Sequence, residues 1–258
     1  MYWRLVLASI RAQMQYKVSF LLSTFGAFLV TGIEVVGIWA LFSRFGNLPG
    51  WTLAEVAVFY GIVNVSFAAS EFFTAGFDRF GTDFLRTGHF DRLLVRPRSL
   101  FVQLVGYEFT LRRLGRLLQG LIVLTWALVS IEQSIAGEDM VYLVFIMGCG
   151  VFMFFGIFVC QATLSFWTIE SLEIMNTLTY GGVEAAQYPM SIYEEWFRRF
   201  FTYIVPVACV AYYPVLVLLG KAENSLLALT PLAGLLFFAA SLWVFVAVGV
   251  RQYTSAGS

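Results

Sequence analysis

An all-α, polytopic membrane protein with six transmembrane helices is what this sequence predicts, and three observations carry that reading. Of 258 residues, 60% are hydrophobic and only 12% charged, with a mean hydropathy of +0.80. A soluble domain carries roughly twice that charged fraction, so the solvent for most of this surface is lipid. Long apolar stretches recur, and one crossing takes about 20 apolar residues to cover about 30 Å of hydrocarbon. The loop 78–116 holds eight arginines, whereas the loop 132–139 holds none and is acidic (Glu132, Glu138, Asp139).

The elements follow in order. Over residues 1–17, Trp3, Val6, Leu7, Ile10 and Met14 share one helical face, flanked by Arg4, Arg11 and Gln15. This spacing predicts an amphipathic helix lying in the membrane interface rather than a secretory signal. The first span is expected at 18–42, the second at 54–77, the third at 114–131 with a start as early as Phe101, the fourth at 140–163 and the last at 226–250. Between the fourth and the last, two stretches compete. Residues 164–187 are moderately apolar and carry Glu170, Glu173 and Glu184. Residues 200–219 are more apolar but contain Pro206 and Pro214, which remove backbone donors and suit a re-entrant segment better than a plain crossing. Either choice leaves six crossings and both termini on one side.

Basic residues set the orientation. Arg4, Arg11 and Lys17 precede the first span, and Arg79, Arg86, Arg92, Arg96, Arg98, Arg112, Arg113 and Arg116 fill the second loop. The N-terminus, the 78–116 loop and the C-terminus are therefore expected in the cytoplasm, in a multi-pass protein of the cell (inner or plasma) membrane. Net charge is zero, which implies no nucleic-acid partner. Cys149, Cys160 and Cys209 fit no CxxC spacing and read as buried hydrophobes. His89 is the sole histidine, and there is neither a HExxH run nor a GxxxxGK[ST] loop, which argues against an intramembrane enzyme and against an ATPase in this chain.

The 78–116 loop opens with a short amphipathic helix. Phe77, Phe80 and Phe84 share a face, Asp78, Arg79, Asp83 and Arg86 lie around it, and Thr87-Gly88 stop it. Aromatic anchors with flanking charges are a common way for a helix to enter a partner's groove, so this face is expected to meet a soluble protein or to lie on lipid headgroups. Within the spans, Glu34 and Glu71 are costly if they face lipid, by about 2.5 kcal/mol or more. Each is expected either to line a pathway for substrate or protons or to pair with polar or arginine side chains. Trp3, Trp39, Trp51 and Tyr142 are expected at the interfacial belt. Phe152, Phe154, Phe155 and Phe158 suit lipid contact and helix packing. Gly148, Gly150 and Gly156 suit close helix contact.

The run Gly88-His89-Phe90-Asp91-Arg92-Leu93-Leu94-Val95-Arg96-Pro97-Arg98-Ser99 resembles the G-x-(L/F)-D-x-L-L-x-R-P-x-S loop of permease subunits of type-2 ABC exporters. Arg98 stands where leucine is commoner. A second segment, Tyr188-Pro189-Met190-Ser191-Ile192 followed by Trp196 and Phe201–Pro206, is similar to that family's YP(I/L)S…W…P segment. The resemblance implies an inner-leaflet helix over 1–17 and spans one and two within 18–77. It places a cytoplasmic coupling loop at 78–100 and spans three to five within 101–187. An outer re-entrant hairpin at 188–225 and span six at 226–250 complete a single transmembrane domain over 1–258. It puts Arg198 and Arg199 outside, where Glu194 and Glu195 can pair with them. It also implies a separate nucleotide-binding ATPase dimer gripping Phe77, Arg79, Phe80, Asp83, Phe84 and Arg86, with ATP and Mg on that partner and no cofactor in this chain. A second permease copy, or a homologous one, would complete the pathway among the surrounding lipid. From Glu34 and Glu71 alone, the competing reading is an ion-coupled carrier or channel that needs no ATPase.

Overall fold

A computed structural model describes residues 10–11, 13–131, 136–168 and 172–254. Most of the helix expected over 1–17 lies outside the described residues, as do Glu132 and Glu170; Ile10, Arg11, Gln13 and Met14 are helical. The described residues are helical with short connections and contain no strand beyond one isolated bridge, Leu48 to Trp51.

The two longest apolar helices are α1 (Lys17–Phe45) and α8 (Gly137–Leu164). The central helix is α2 (Leu53–Glu71), with 15 of its 19 residues buried. Its start is set by a capping box. Thr52 Oγ1 accepts from the Glu55 backbone N–H at 3.3 Å, and the Glu55 carboxylate accepts from the Thr52 N–H at 2.9 Å. Short helices follow at the basic end: α3 (Ala75–Asp78), a π-helical turn α4 (Phe80–Leu85), α5 (His89–Leu94) and α6 (Leu100–Val105). Gly88 starts α5 with φ 69°, a left-handed conformation that explains why the preceding helix stops there. The chain returns through α7 (Leu114–Ser130), then α8 and α9 (Leu172–Ala186).

At the opposite end α10 (Glu195–Tyr203) is followed, across Pro206, by α11 (Val207–Val210) and α12 (Tyr212–Leu218). The bend across this break is 75°. A proline donates no backbone hydrogen bond and blocks the preceding turn, so the bend falls where the sequence requires it. The last helix, α13 (Leu232–Val244), continues through a π-helical stretch at Phe245–Gly249 to Gln252.

Among the described residues four helices are long and apolar enough to cross a membrane: Lys17–Phe45, Leu53–Glu71, Gly137–Leu164 and Ser225–Gln252; the bent pair raises this to five if it is one crossing. The expected six crossings are thus met in part. The third expected span, α7, has 17 residues, and α9 has 15. At 1.5 Å per residue each is shorter than the hydrocarbon layer.

Helices pack around α2 where side chains are small. A Cβ on Gly61 would lie 2.6 Å from Leu124 Cβ of α7, and one on Gly150 of α8 would lie 2.7 Å from Ser66 Oγ of α2. Gly156 likewise faces Phe237 of α13, whereas Gly148 faces open space and makes no such contact. The hairpin is pinned to α2 at the other end. Lys221 Nζ lies 2.6 Å from Glu55, 2.9 Å from the Gly50 carbonyl and 4.3 Å above the Trp51 ring, while Trp51 Nε1 donates to Ser191 Oγ at 3.0 Å. Trp51, beside the α2 start, is 5% exposed, and its indole N–H finds its partner inside the protein. The cysteines are free thiols, with Cys149 and Cys209 buried.

Gly61→Val puts new atoms into the α2–α7 contact. The expected cost is about 1–3 kcal/mol of stability. Thermal unfolding in detergent micelles measures it, and an unchanged midpoint would show that the contact is looser than the structure has it.

Candidate functional site

The basic end places the sequence-chosen residues in a specific arrangement. Phe77 and Phe80 are fully buried and Phe84 is nearly so. Phe80 packs on Phe90 at 5.1 Å, Phe166 at 5.2 Å and Phe245 of the last helix at 5.4 Å; Phe77 packs on Phe155 of α8 at 5.5 Å. The aromatic face expected to reach outward is therefore turned inward. The physical reason is local: Gly76 lets the Leu104 backbone come so close that a Cβ would lie 2.2 Å from its carbonyl oxygen, which seats the turn on α6 and α8. These rings cannot be the surface a partner touches in this conformation. They join the turn to α8 and to the last helix.

The outward side is largely basic, with Leu94 and Val95 exposed among the charges. Arg86, Thr87, His89, Arg92 and the run from Leu94 to Ser99 are exposed. Behind them Arg79 pairs with Glu108 and approaches Asp83 at 3.8 Å, and Tyr107 Oη donates to Asp83 at 3.1 Å. Burial, followed by the Asp83 carboxylate, pushes the Tyr107 phenol above its ordinary value. The Ser99 hydroxyl accepts from the Val102 N–H at 3.3 Å and caps α6, while Gln103 Nε2 donates to the Leu93 carbonyl at 3.0 Å. Ser99 of the Gly88–Ser99 motif thus starts a helix, and Leu93 anchors the loop by its carbonyl.

Inside the helix bundle the two chosen carboxylates differ. Glu71 is buried and pairs with Arg113 at 2.8 Å. This is the structural-pairing alternative. Glu34 is half-buried near the middle of α1 and meets Tyr60 Oη at 3.2 Å. Tyr60 also lies 2.9 Å from the Thr31 carbonyl and 3.2 Å from Gln119 Oε1. Beyond it Arg116 Nε donates to Asn64 Oδ1 at 2.7 Å, and its guanidinium sits 4.7 Å over the Phe67 ring. Glu34 and Arg116 both act electrostatically on Glu184 of α9. A polar seam of hydrogen bonds therefore joins α1, α2 and α7. The sequence reading chose Glu34 but missed Tyr60, Asn64, Gln119 and Arg116 as its company. Asn64 and Gln119 in otherwise apolar helices were the available signal. Among the described residues no group of three or more His, Cys, Asp or Glu side chains is placed to hold a metal ion.

The basic loop and the bent hairpin lie where the two sequence motifs fall, and the family described as "ABC-2 family transporter protein" matches residues 28–257. The chain belongs to the ABC-2 transporter family. It is accordingly a membrane transport component, a permease-type chain. No curated protein and no solved structure matches this ABC-2 protein.

Arg113→Met leaves the buried Glu71 carboxylate without its cation, and a loss of about 3 kcal/mol is expected; adding Glu71→Gln should restore most of it. Thermal unfolding of both variants checks this. A double variant no better than the single would mean that Glu71 is held by something other than the pair.

Proposed function

We propose that this ABC-2 protein is one half of the translocation pathway of an ATP-driven exporter, moved by a separate nucleotide-binding subunit. The observation that carries the proposal is the two-sided basic end. An exposed surface of Arg86, His89, Arg92, Arg96 and Arg98 lies directly behind a buried aromatic cluster that reaches α8 and the last helix. A force on the outer side passes through Phe80 and Phe77 into the helices, because packed aromatic contacts resist compression. The two π-helical turns, Phe80–Leu85 and Phe245–Gly249, meet at the Phe80–Phe245 contact, and such wide turns are frequent at functional sites.

In this reading the basic end faces the cytoplasm of an inner or plasma membrane, with both termini on that side. Six crossings are completed by α7 and α9. The bent α10–α12 hairpin is re-entrant and closes the outer side. ATP and Mg belong to the ATPase dimer. A second permease chain faces this one across the pathway. On the outer side Arg199 pairs with Glu195 one turn away, an exposed pair of small energetic value that offsets the misplaced charge locally.

Arg86→Glu together with Arg92→Glu reverses the charge of the exposed face without touching the buried rings. Co-purification with the cognate nucleotide-binding subunit is expected to fall at least tenfold, the loss of one or two charge-assisted contacts. Thermal stability of the isolated chain should stay unchanged. Undiminished co-purification would sink the docking assignment.

A further inference from the structure

Phe90, in the first turn of α5, is fully buried. Three rings surround it: Phe80 at 5.1 Å, Phe166 at 5.6 Å and Tyr253 at 4.8 Å. Tyr253 meets it edge to face, with the ring planes at 87°. Phe80 belongs to the same loop, and Phe166 follows α8. Among the described residues, then, Tyr253 is the ring by which the last helix holds α5. That helix of six residues is too short to persist alone, and its buried side chains are Phe90 and Leu93.

The register of the last helix is what brings Tyr253 there. Tyr253 follows Phe245 by eight residues. At 3.6 residues per turn, eight residues overshoot two turns by about 80°, which would turn Tyr253 away from the face that carries Phe245. Seven residues fall within about 20° of two turns. The π-helical turn Phe245–Gly249 makes up the difference, because its i→i+5 bonds take one more residue into the turn than an α-helix does. Both rings consequently face the loop. Phe245 lies 5.4 Å from Phe80 and Tyr253 4.8 Å from Phe90, with Phe166 reaching them at 5.8 and 6.5 Å. Gly249, at the end of the π turn, leaves room for that ring, since a Cβ there would lie 2.8 Å from Phe166 Cδ2.

We propose that Tyr253 is a positioning residue for the docking surface: presented by the π turn of the last helix, it latches Phe90 and fixes the angle at which Arg86, Arg92 and the exposed Leu94 and Val95 meet the nucleotide-binding subunit. The identity of that partner rests on the exporter reading, whereas the latch belongs to this chain and is measured without a partner. Tyr253 gives the loop a second connection to the last helix, beyond the Phe80–Phe245 contact. A push on α5 therefore reaches the end of that helix as well as its π turn. An α-helical turn in place of the π turn would swing Tyr253 by about 100° and release Phe90.

The test is hydrogen exchange of the full chain in detergent micelles, read by mass spectrometry on α5 and, as the distant reference, on α10. Tyr253→Ala is expected to speed exchange in α5 about threefold to tenfold, as loss of one aromatic pair does, and to leave α10 unchanged. Tyr253→Phe keeps the ring and should exchange as the unaltered chain does. Deleting Val248 removes the extra residue and leaves Tyr253 seven positions after Phe245 on a straight helix, so α5 should stay protected. Inserting one alanine after Val250 turns Tyr253 away and should match Tyr253→Ala. Co-purification with the cognate nucleotide-binding subunit should fall about threefold or more in Tyr253→Ala and be retained in Tyr253→Phe. Exchange in α5 that Tyr253→Ala leaves unchanged would overturn the latch, whatever the partner. Equal acceleration in α5 and α10 would show a general loosening and overturn it too. Exchange as fast in the Val248 deletion as in Tyr253→Ala would overturn the register argument. Faster exchange with undiminished co-purification, where Arg86→Glu with Arg92→Glu does release the partner, would overturn the positioning role and leave the docking assignment standing.

Discussion

The helix α2 carries polar side chains that lipid cannot satisfy, and the arrangement of its neighbours follows from that constraint. Tyr60, Asn64 and Glu71 stand on one buried helix. Their partners come from α1 (Thr31, Glu34) and from α7 or the turn before it (Arg113, Arg116, Gln119). In water each of these groups would be solvated at little cost. In hydrocarbon an unpaired one costs kilocalories. Between helices as apolar as the lipid around them, hydrophobic burial gives little preference for one neighbour over another. Polar pairing and the small residues Gly61, Gly115 and Gly120 on the α2 and α7 faces supply that preference.

The same logic separates the two ends of the molecule. At the basic end the charges lie on the surface while the aromatic rings turn inward, so the turn following α2 is part of the packed core. At the other end Trp51, Lys221, Glu55 and Ser191 tie the hairpin to the start of α2. One helix is thus held at its top by the hairpin and at its bottom by the aromatic cluster. A displacement applied to either end must involve the other, which is a property suited to a transport component. Among the described residues α1 is loosely covered, as α13 also is: only Thr31, Ile38 and Phe42 of α1 are buried. Its exposed apolar face suits lipid or a second chain.

Much of this was legible from residue order. The long apolar runs, the arginine-rich loop, the stop at Gly88, the proline break before α11 and the Glu195–Arg199 pair all follow from local chemistry. Glu34 and Glu71 were conspicuous for being charged in apolar surroundings. The direction of the Phe77–Phe80–Phe84 face was not legible. A helical stripe of aromatic residues looks the same whether it meets a partner or its own core, and only the close approach of Leu104 to Gly76 settles which. The buried hydrogen bond of Trp51 was hidden for a related reason: its acceptor, Ser191, is 140 residues away. The seam's remaining members, Tyr60, Asn64, Arg116 and Gln119, were equally hidden, since their meaning depends on facing one another.

By itself, then, the sequence determined a helical chain in lipid, its breaks and the location of its charge, because hydropathy, proline and glycine act on their own neighbourhoods. Tertiary structure alone decided which carboxylate is paired with an arginine and which meets a tyrosine hydroxyl, and which face of the basic turn is inside. Those outcomes depend on distances between residues far apart in the chain, and spacing along a sequence contains no such distances.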